Sequence, residues 1–221
     1  MTETGSATGI VIVGSGGMGR EIFGIIRAIN ADVTAVVHWR VLGFVDDYPT
    51  DFNVHQVGRL GVPFLGGTGW LASCPPGTHV SLGVGEPWHR RDTHGRIEHL
   101  GLPAATLVHP AADIGVDCAV DDGLVAAGGA RVTTNVRLGR HVHLNQNCTV
   151  GHDTTLGDFV SINPLAAVSG YCELADGVMV GTTAAVLPRL RIGQDARIGA
   201  GACVVHDVPA RAVAKGVPAR W

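Results

Sequence analysis

The second half of the chain repeats with a period of six residues. Steps of six from Ile114 to Val204 reach sixteen positions, and fifteen of them are Ile, Leu or Val, the exception being Ala126. A period of six fits neither a long helix, which repeats every ~3.6 residues, nor a plain alternating strand. It fits short strands separated by regular corners, which is the pattern of a parallel β-helix.

Two further features describe the corners and the core of this repeat. The residue after the aliphatic position is glycine in seven of the sixteen units, which indicates a turn with unusual backbone angles. The fourth residue after the aliphatic position is small or apolar, as at Val136, Cys148 and Thr154. We therefore expect two inward-pointing side chains in every six residues.

The first half of the chain predicts a different kind of domain. A buried-strand run at residues 10–13 is followed by a glycine turn and by a helical stretch from about 20 to 30. Further strands are predicted at 41–45, 62–66 and 79–84, and the last two are each followed by a helix, the second from about 87 to 100. This alternation predicts a small, three-layer, Rossmann-like α/β domain.

The glycine turn after the first strand has the features of a phosphate-binding loop. It reads Gly14-Ser15-Gly16-Gly17-Met18-Gly19, and Arg20 follows it. Backbone N–H groups and the positive end of a helix dipole meet at such a turn. The alternative interpretation is tight packing of strand and helix with no ligand.

Two acidic residues follow the second predicted strand. Asp46 and Asp47 stand at its carboxyl end, where a carboxylate can reach a ribose or uracil group. The separation between Gly14 and Asp46 exceeds the ~20 residues of a dinucleotide fingerprint. This spacing argues against NAD as the ligand.

Charge and cysteine content exclude several classes of partner. Sixteen basic and nineteen acidic residues give a net charge of −3, which offers no broad positive field for nucleic acid or anionic lipid. No apolar run approaches the ~20 residues of a membrane span, and residues 1–6 lack the basic flank of a signal peptide, so we expect a cytoplasmic protein. Five cysteines without a C-x-x-C pair predict small buried thiols rather than disulfides or a zinc site.

Three segments carry a resemblance to a known family: residues 13–20 (VGSGGMGR), residues 144–159 (LNQNCTVGHDTTLGDF) and the tail 199–220. Over essentially its full length the chain resembles the sugar O-acyltransferases, which include sialic acid O-acetyltransferases and UDP-4-amino-sugar N-acetyltransferases. The resemblance implies an acceptor-binding domain at 1–105 and a left-handed β-helix acyltransferase domain at 106–221. Three hexapeptides would then form one triangular coil, with about five coils in all and residues 18 apart on successive coils.

The same resemblance assigns a general base. It implies that His152 takes a proton from the acceptor and that Asp153 orients the ring, during direct transfer from acetyl-CoA. A histidine suits this step because its ordinary pKa lies near neutral pH, and a neighbouring carboxylate fixes the tautomer of the ring. Gly170 stands eighteen residues after His152, and the family uses this glycine to donate a backbone N–H to the developing oxyanion.

Binding residues for both substrates are implied in the same way. Acetyl-CoA is expected as co-substrate, without a metal, at Gly170, Gly199, Gly201 and Lys215, between the subunits of a homotrimer. A sugar or sugar-nucleotide acceptor is expected at nine residues: Gly14, Ser15, Gly16, Gly17, Met18, Arg20, Asp46, Asp47 and Ser161.

Three positions depart from the family pattern. Ser161 stands where some members have a second histidine, so a step that needs a second imidazole would use a hydroxyl. Met18 replaces a histidine of the amino-sugar enzymes, and Arg20 replaces a lysine that they often have. Phosphate contact would then depend on backbone N–H groups and on Arg20.

Other interpretations stay open at this point. A zinc enzyme on the same repeat would use His109, His141, His143 and His152, but their spacing does not match the metal triad of γ-class carbonic anhydrases. We expect His141 and His143 at the surface or at a subunit interface, and a structural role for His206-Asp207. A non-catalytic, trimeric nucleotide-binding scaffold or an acyltransferase for a non-sugar acceptor would have the same repeat.

Overall fold

The computed structural model describes residues 7–221. Residues 1–6, to which the signal-peptide expectation refers, lie outside the described residues. The chain divides into two compact units: unit 1 is the chain up to Val84 together with Asp92–Ala105, and unit 2 is Gly85–Arg91 with Thr106–Trp221. None of the helices within 7–221 has the length and apolar character needed to cross a membrane.

Unit 1 is built on a three-stranded parallel sheet. Its strands are β1 (Thr8–Val13), β2 (Trp39–Val45) and β3 (His79–Leu82), in the order β2-β1-β3. The central strand β1 is a continuous apolar run, and its residues 10–12 are fully buried, as is usual in parallel sheets. The helical segments of the chain are α1 (Gly17–Ala31), α2 (Asp51–Gly58) and α3 (Pro87–Ile97), with 3₁₀ turns at Thr68–Ser73 and Glu98–Leu100.

One strand predicted for this unit is reduced to a single bridge. The sequence predicts a strand at 62–66, but only Phe64 pairs, with Phe44 of β2. Pro63 has no N–H to donate, and Gly66 has φ +100, outside the extended region. The predicted helix at about 20–30 is present as α1, whereas the helix predicted after 62–66 is only the 3₁₀ turn Thr68–Ser73. The helix predicted at about 87–100 is present as α3 and ends in a 3₁₀ turn.

Unit 2 is a parallel β-helix with three faces, each made of two-residue strands. Face 1 contains β4 (Leu107–Val108), β7 (Val125–Ala126), β10 (His143–Leu144), β13 (Ser161–Ile162), β16 (Met179–Val180), β19 (Arg197–Ile198) and β21 (Val213–Ala214). Face 2 contains β5 (Asp113–Ile114), β8 (Arg131–Val132), β11 (Thr149–Val150), β14 (Ala167–Val168), β17 (Ala185–Val186) and β20 (Cys203–Val204). Face 3 contains β6 (Ala119–Val120), β9 (Arg137–Leu138), β12 (Thr155–Leu156), β15 (Glu173–Leu174) and β18 (Arg191–Ile192).

The chain turns three corners in each coil: corner 1 leads from face 1 to face 2, corner 2 from face 2 to face 3, and corner 3 back to face 1. Strands on successive coils pair residues 18 apart, for example Val150 with Val168, which confirms the expected coil length. Only the last turn is shorter, because Val208 pairs with Ile192, sixteen residues earlier. The seven, six and five strands on the three faces form about six coils, one more than predicted, because β4 and β21 extend the solenoid beyond the regular repeat.

The inward positions form one continuous apolar core, as the repeat predicts. Val136, Cys148 and Val178 are examples at the fourth position, and each is 0% exposed. Burial raises the pKa of the Cys148 thiol to about 12, so this thiol stays protonated. Cys172 is buried as well, whereas the expectation of burial is wrong for the other three cysteines, which are partly exposed: Cys74, Cys118 and Cys203.

Glycine is needed after the aliphatic positions for a different reason from the one inferred from the sequence. These glycines do not adopt positive φ; the left-handed residues lie two positions later, as at Asp117, Asp153 and Tyr171. A Cβ at Gly181 would instead lie 2.6 Å from the carbonyl oxygen of Ile198, in the backbone of the next coil. These glycines are therefore required by the close approach of neighbouring coils.

We predict that Gly181→Ala lowers the free energy of unfolding by about 1–3 kcal/mol, because backbone atoms of the next coil cannot move aside without distorting it. Gly128→Ala is the matched control in the same unit, since its Cβ would lie 3.4 Å from the nearest atom. Urea denaturation of the two variants measures the difference. Equal stabilities would contradict this account of the glycines.

Candidate active site

A histidine and an aspartate form a hydrogen-bonded pair at corner 2, directly after β11. His152 Nδ1 and Asp153 Oδ2 lie 2.7 Å apart, and the two side chains are 51% and 34% exposed. Asp153 has φ +57, and its N–H donates to the carbonyl oxygen of Thr134 on the preceding coil. With Nδ1 bound to the carboxylate, Nε2 is the ring nitrogen left to accept a proton.

The carboxylate of this pair is stabilised in its charged form. The hydrogen bond from His152 holds the pKa of Asp153 below its ordinary value; desolvation opposes this shift, and a hydrogen bond from Asn135 adds to it. Asp153 therefore stays ionised at neutral and mildly acidic pH. Because its pKa is lowered by folding, the pair stabilises the fold above the unfolded-state pKa, and this contribution is lost as pH falls through the folded-state pKa.

Gly170 lies one coil further along corner 2, directly against the imidazole. A Cβ at Gly170 would lie 2.8 Å from both Cε1 and Nε2 of His152. A side chain at this position would therefore push the ring aside. The structure thus brings the two residues together as the 18-residue spacing predicts, with Thr134 and Pro188 in the same column on the coils to either side.

The backbone N–H of Gly170 has no hydrogen-bond acceptor in the part of the chain that the structure describes. At corner 3 the corresponding groups are occupied by carboxylates of the next coil: Arg140 N donates to Asp158 Oδ1 at 2.8 Å, and Asp158 N to Asp176 Oδ1 at 2.9 Å. At corner 2 the next coil presents Pro188, which has no side-chain acceptor. An unpaired N–H in a buried residue costs free energy, so an oxygen atom of a ligand would be a favourable partner.

Tyr171 is a residue of this cluster that the sequence reasoning missed. Its ring meets the His152 ring edge to face, with centroids 5.0 Å apart and an interplanar angle of 89°. The guanidinium carbon of Arg189 lies 4.6 Å from the centre of the Tyr171 ring. The same 18-residue spacing that connects His152 to Gly170 leads from Asp153 to Tyr171 and on to Arg189, so this signal was available. An aromatic ring therefore lies against the imidazole, and a cation lies over that aromatic ring.

In the second His-Asp pair of the chain, His206-Asp207, the aspartate has a structural role. Asp207 Oδ1 accepts the backbone N–H of Arg191 at 2.8 Å. On earlier coils a backbone carbonyl accepts the equivalent N–H, as Leu190 O does from Glu173 N. The carboxylate of Asp207 replaces a hydrogen bond that the shortened last turn does not supply.

Three residues expected at acetyl-CoA lie at the other edge of face 2. Gly199 and Gly201 belong to corner 1, and a Cβ at Gly199 would lie 3.2 Å from Cγ of Lys215. Lys215 is held in the tail by two backbone hydrogen bonds with Arg220, at 2.8 and 2.9 Å. A ligand that contacted these residues and Gly170 would have to cross face 2, because corners 1 and 2 are its two edges.

A cavity of about 630 Å³ lies over face 3, and no sequence feature pointed to it. It begins at Thr155, three residues after His152, and extends past Glu173 and Arg191 to Asp207. Glu173 Oε2 and Arg191 Nε are 3.3 Å apart across it. This open groove therefore has a mainly apolar lining that includes one ion pair, and it adjoins the coil that carries the His-Asp pair.

The prediction that His141 and His143 lie at the surface or at a subunit interface is wrong, because both are buried within the single chain. They are 3% and 1% exposed, and the His141 ring stacks on Phe159 with centroids 5.3 Å apart. Arg90, in the same unit, covers this region and donates to the carbonyl oxygens of His141 and Phe159 at 3.1 and 2.9 Å. Across residues 7–221, no three His, Cys, Asp or Glu side chains are grouped as metal ligands.

Ser161, which was expected to face the acceptor, is buried under the same arginine. It is 1% exposed, and its Oγ accepts a hydrogen bond from Arg90 Nη2 at 2.9 Å. Burial lowers the pKa of Arg90 to about 9, against the opposing effect of the Glu86 carboxylate, so the guanidinium is still charged at neutral pH. Ser161 therefore stabilises a buried cation and does not face a ligand in this chain.

In unit 1 the glycine turn divides into a packed part and an open part. A Cβ at Gly14 would lie 2.7 Å from the carbonyl oxygen of Gly83. A Cβ at Gly19 would overlap the carbonyl oxygen of Gly14. These two glycines permit tight packing, which is the interpretation without a ligand. A Cβ at Gly16 or Gly17 would meet nothing within 4 Å. The open part leaves the first N–H groups of α1 accessible to an anion.

Of the other residues expected at the acceptor, Asp46 and Arg20 hold this turn in place, and Asp47 binds elsewhere in the unit. Asp46 Oδ2 accepts hydrogen bonds from the N and Oγ of Ser15, at 2.9 and 2.7 Å. Asp47 Oδ1 accepts the N–H of Thr68 at 2.7 Å, and Arg20 Nη1 donates to the carbonyl oxygen of Ser15 at 2.9 Å. Both carboxylates thus accept hydrogen bonds within the unit. Met18, in the same turn, is half-buried.

We predict that Asp153 titrates below the ordinary range for an aspartate and that His152→Ala raises its pKa, because the main hydrogen bond to the carboxylate is lost. Asn135→Ala should raise it by less. Titration of the carboxyl carbon by NMR measures all three proteins. The same value in wild type and in His152→Ala would contradict the pairing.

Comparisons with known proteins agree with this architecture. Residues 9–97 match the model of the PglD N-terminal domain. A His-to-Asn variant of perosamine N-acetyltransferase from Caulobacter crescentus, solved with CoA and GDP-perosamine, superimposes with a TM-score of 0.85 and 26% identity, covering 96% of this chain and 95% of that one. The acetyltransferase domain of PglB from Neisseria gonorrhoeae, in complex with acetyl coenzyme A, gives a TM-score of 0.84 and 26% identity over 97% and 99% of the two chains.

Curated sequences match over shorter stretches. Serine acetyltransferase from Mycobacterium tuberculosis is 33% identical over 151 residues, which cover 66% of this chain and 60% of that protein. The chain spans between 36% and 60% of the lengths of the first curated relatives. Together these findings confirm the resemblance found in the sequence: residues 9–97 are similar to the PglD N-terminal domain, and the chain as a whole is similar to sugar N-acetyltransferases of the hexapeptide-repeat type.

Proposed function

We propose that this protein transfers an acetyl group from acetyl-CoA to an amine or hydroxyl of a nucleotide-linked sugar. One observation carries the proposal: the His152-Asp153 pair is held against Gly170, whose backbone N–H has no acceptor among the residues described. A proton acceptor and an oxyanion donor are the two groups that acyl transfer from a thioester requires. The similar perosamine N-acetyltransferase binds CoA and GDP-perosamine, which supports both substrates.

The proposed reaction is a direct transfer without a covalent enzyme intermediate. The acceptor nitrogen or oxygen attacks the thioester carbonyl carbon, and His152 Nε2 accepts the proton that the acceptor loses. Asp153 accepts the Nδ1–H and stabilises the imidazolium. The carbonyl oxygen becomes an oxyanion that accepts a hydrogen bond from Gly170 N–H. The C–S bond then breaks, and the imidazolium returns its proton to the CoA thiolate.

The binding assignments follow the two substrates. In the proposal, the open part of the glycine turn in unit 1, with Arg20 beside it, binds the phosphates of the acceptor. Acetyl-CoA crosses face 2 from Gly170 toward Gly199, Gly201 and Lys215. The active form is a cytoplasmic homotrimer with its sites between subunits.

A non-sugar acceptor is the second candidate. The match to serine acetyltransferase favours it, because that protein's name specifies an amino-acid acceptor. A non-catalytic nucleotide-binding scaffold would need neither an oriented base at His152 nor a free N–H at Gly170. An acceptor panel separates the three possibilities: release of CoA thiol with amino sugars, sugar nucleotides or sialic acid supports the proposal, release with L-serine alone supports the second candidate, and no binding of CoA supports the scaffold.

We predict that His152→Ala lowers kcat by about two to four orders of magnitude, the range typical of a lost general base, with the fold intact. His206→Ala is the matched control, because it removes a histidine from the same column of corner 2. Its neighbour Asp207 accepts a backbone N–H, and Gly170 does not lie beside it. Thiol release from acetyl-CoA measures both variants. Near-normal turnover by His152→Ala would refute the assignment of the base.

A second prediction tests the role of Gly170. Pro188→Asp places a carboxylate where Asp158 and Asp176 accept backbone N–H groups at corner 3, so it should occupy Gly170 N–H. We expect kcat to fall by about 100-fold, the scale of a lost oxyanion donor, while Pro188→Ala stays within about threefold of wild type. Unchanged kcat in Pro188→Asp, with a crystal structure showing the new hydrogen bond, would exclude Gly170 as the donor.

A further inference from the structure

The core beneath corner 2 contains a single hydroxyl. Between Leu124 and Ala202, the fourth residue of every described unit is aliphatic or cysteine, with the exception of Thr154. Thr154 is 0% exposed. Burying a hydroxyl among aliphatic side chains costs free energy unless its hydrogen bonds compensate, so the partners of this hydroxyl are informative.

Thr154 connects the two ends of the loop that lies on the next coil. Its Oγ1 donates to the carbonyl oxygen of Ser169 at 3.1 Å and accepts the N–H of Cys172 at 3.3 Å. The carbonyl oxygen of His152 is a more distant acceptor, at 3.4 Å. At corner 1 the equivalent N–H donates directly to the carbonyl three residues earlier, as Cys148 N does at 3.2 Å. At corner 3 some coils have the same bond, as Val178 N does at 3.4 Å. In loop 169–172 the hydroxyl takes the place of that direct bond.

The same column shows that the hydroxyl is specific to this loop. One coil further on, the thiol of Cys172 donates to the carbonyl oxygen of Leu187 at 3.2 Å. On an earlier coil, the thiol of Cys118 donates to the carbonyl oxygen of Thr133 at 3.6 Å. Val136 has no polar atom to provide. Thiols are weak donors and acceptors, so the strongest bridging group of the column lies at the loop that contains Gly170.

Loop 169–172 carries the proposed oxyanion donor between its two bridged ends. Glycine has wide conformational freedom, so the direction of the Gly170 N–H depends on how Ser169 and Cys172 are held. We propose that Thr154 is a positioning residue that directs Gly170 N–H toward the thioester oxygen. This inference rests on the proposed function.

The test compares three substitutions at one position. Thr154→Val removes the hydroxyl and keeps the shape of the side chain, Thr154→Ser keeps the hydroxyl, and Thr154→Cys introduces the thiol that this column uses elsewhere. Val178→Ala, at corner 3, is the control for a general loss of packing, since Val178 is also 0% exposed. Steady-state kinetics give kcat and both KM values, and amide hydrogen exchange reports on residues 169–172.

We expect Thr154→Val to lose about tenfold in kcat, the effect of a small misplacement of a catalytic group, with both KM values within about twofold of wild type. Exchange at residues 170–172 should become faster. Thr154→Ser should restore both readouts, Thr154→Cys should lie between them, and Val178→Ala should be less stable with kcat unchanged.

Two results would overturn the inference: wild-type kcat and exchange in Thr154→Val, or a loss in Thr154→Ser as large as that in Thr154→Val. If the wild-type protein transfers no acetyl group to any acceptor, the proposed function fails instead. The exchange measurement then still decides whether the hydroxyl holds the loop.

Discussion

The hydrogen bonds between successive coils fix the position of every residue at corner 2. Gly151 N donates to Val168 O at 2.8 Å, and Tyr171 N donates to His152 O at 2.9 Å. Because this register repeats every 18 residues, side chains from distant parts of the sequence stack in columns along each corner. A base can therefore be held against an N–H donor by the scaffold itself, without a specialised loop.

The side chains stacked in a column determine the chemical properties of the corner. At corner 3, the carboxylates of Asp158 and Asp176 accept the N–H groups of Arg140 and Asp158 on the preceding coils. At corner 2, Gly170 and Pro188 provide no side-chain acceptor, so the N–H of Gly170 stays free beside His152. The same backbone geometry thus yields a structural edge and a candidate catalytic edge, and the difference lies in a few side chains per column.

The regular part of the molecule could be predicted from the sequence, and the irregular part could not. The six-residue period predicted the strands and the core. The 18-residue coil that the family resemblance implies predicted the contact between His152 and Gly170, and the same spacing would have found Tyr171. The burial of His141 and Ser161 has no periodic signal, because it results from Arg90, which precedes them by 51 and 71 residues. The cause of the corner glycines also needed the structure, because it depends on the separation between coils rather than on backbone angles.

The most direct test of the account is a crystal structure of the protein with CoA and a sugar-nucleotide acceptor. The account predicts that the CoA sulfur lies beside Gly170 N–H, that the acceptor amine or hydroxyl is within hydrogen-bond distance of His152 Nε2, and that the rest of CoA extends toward Gly199. A CoA sulfur in the cavity over face 3, next to Glu173 and Arg191 and away from His152, would contradict it.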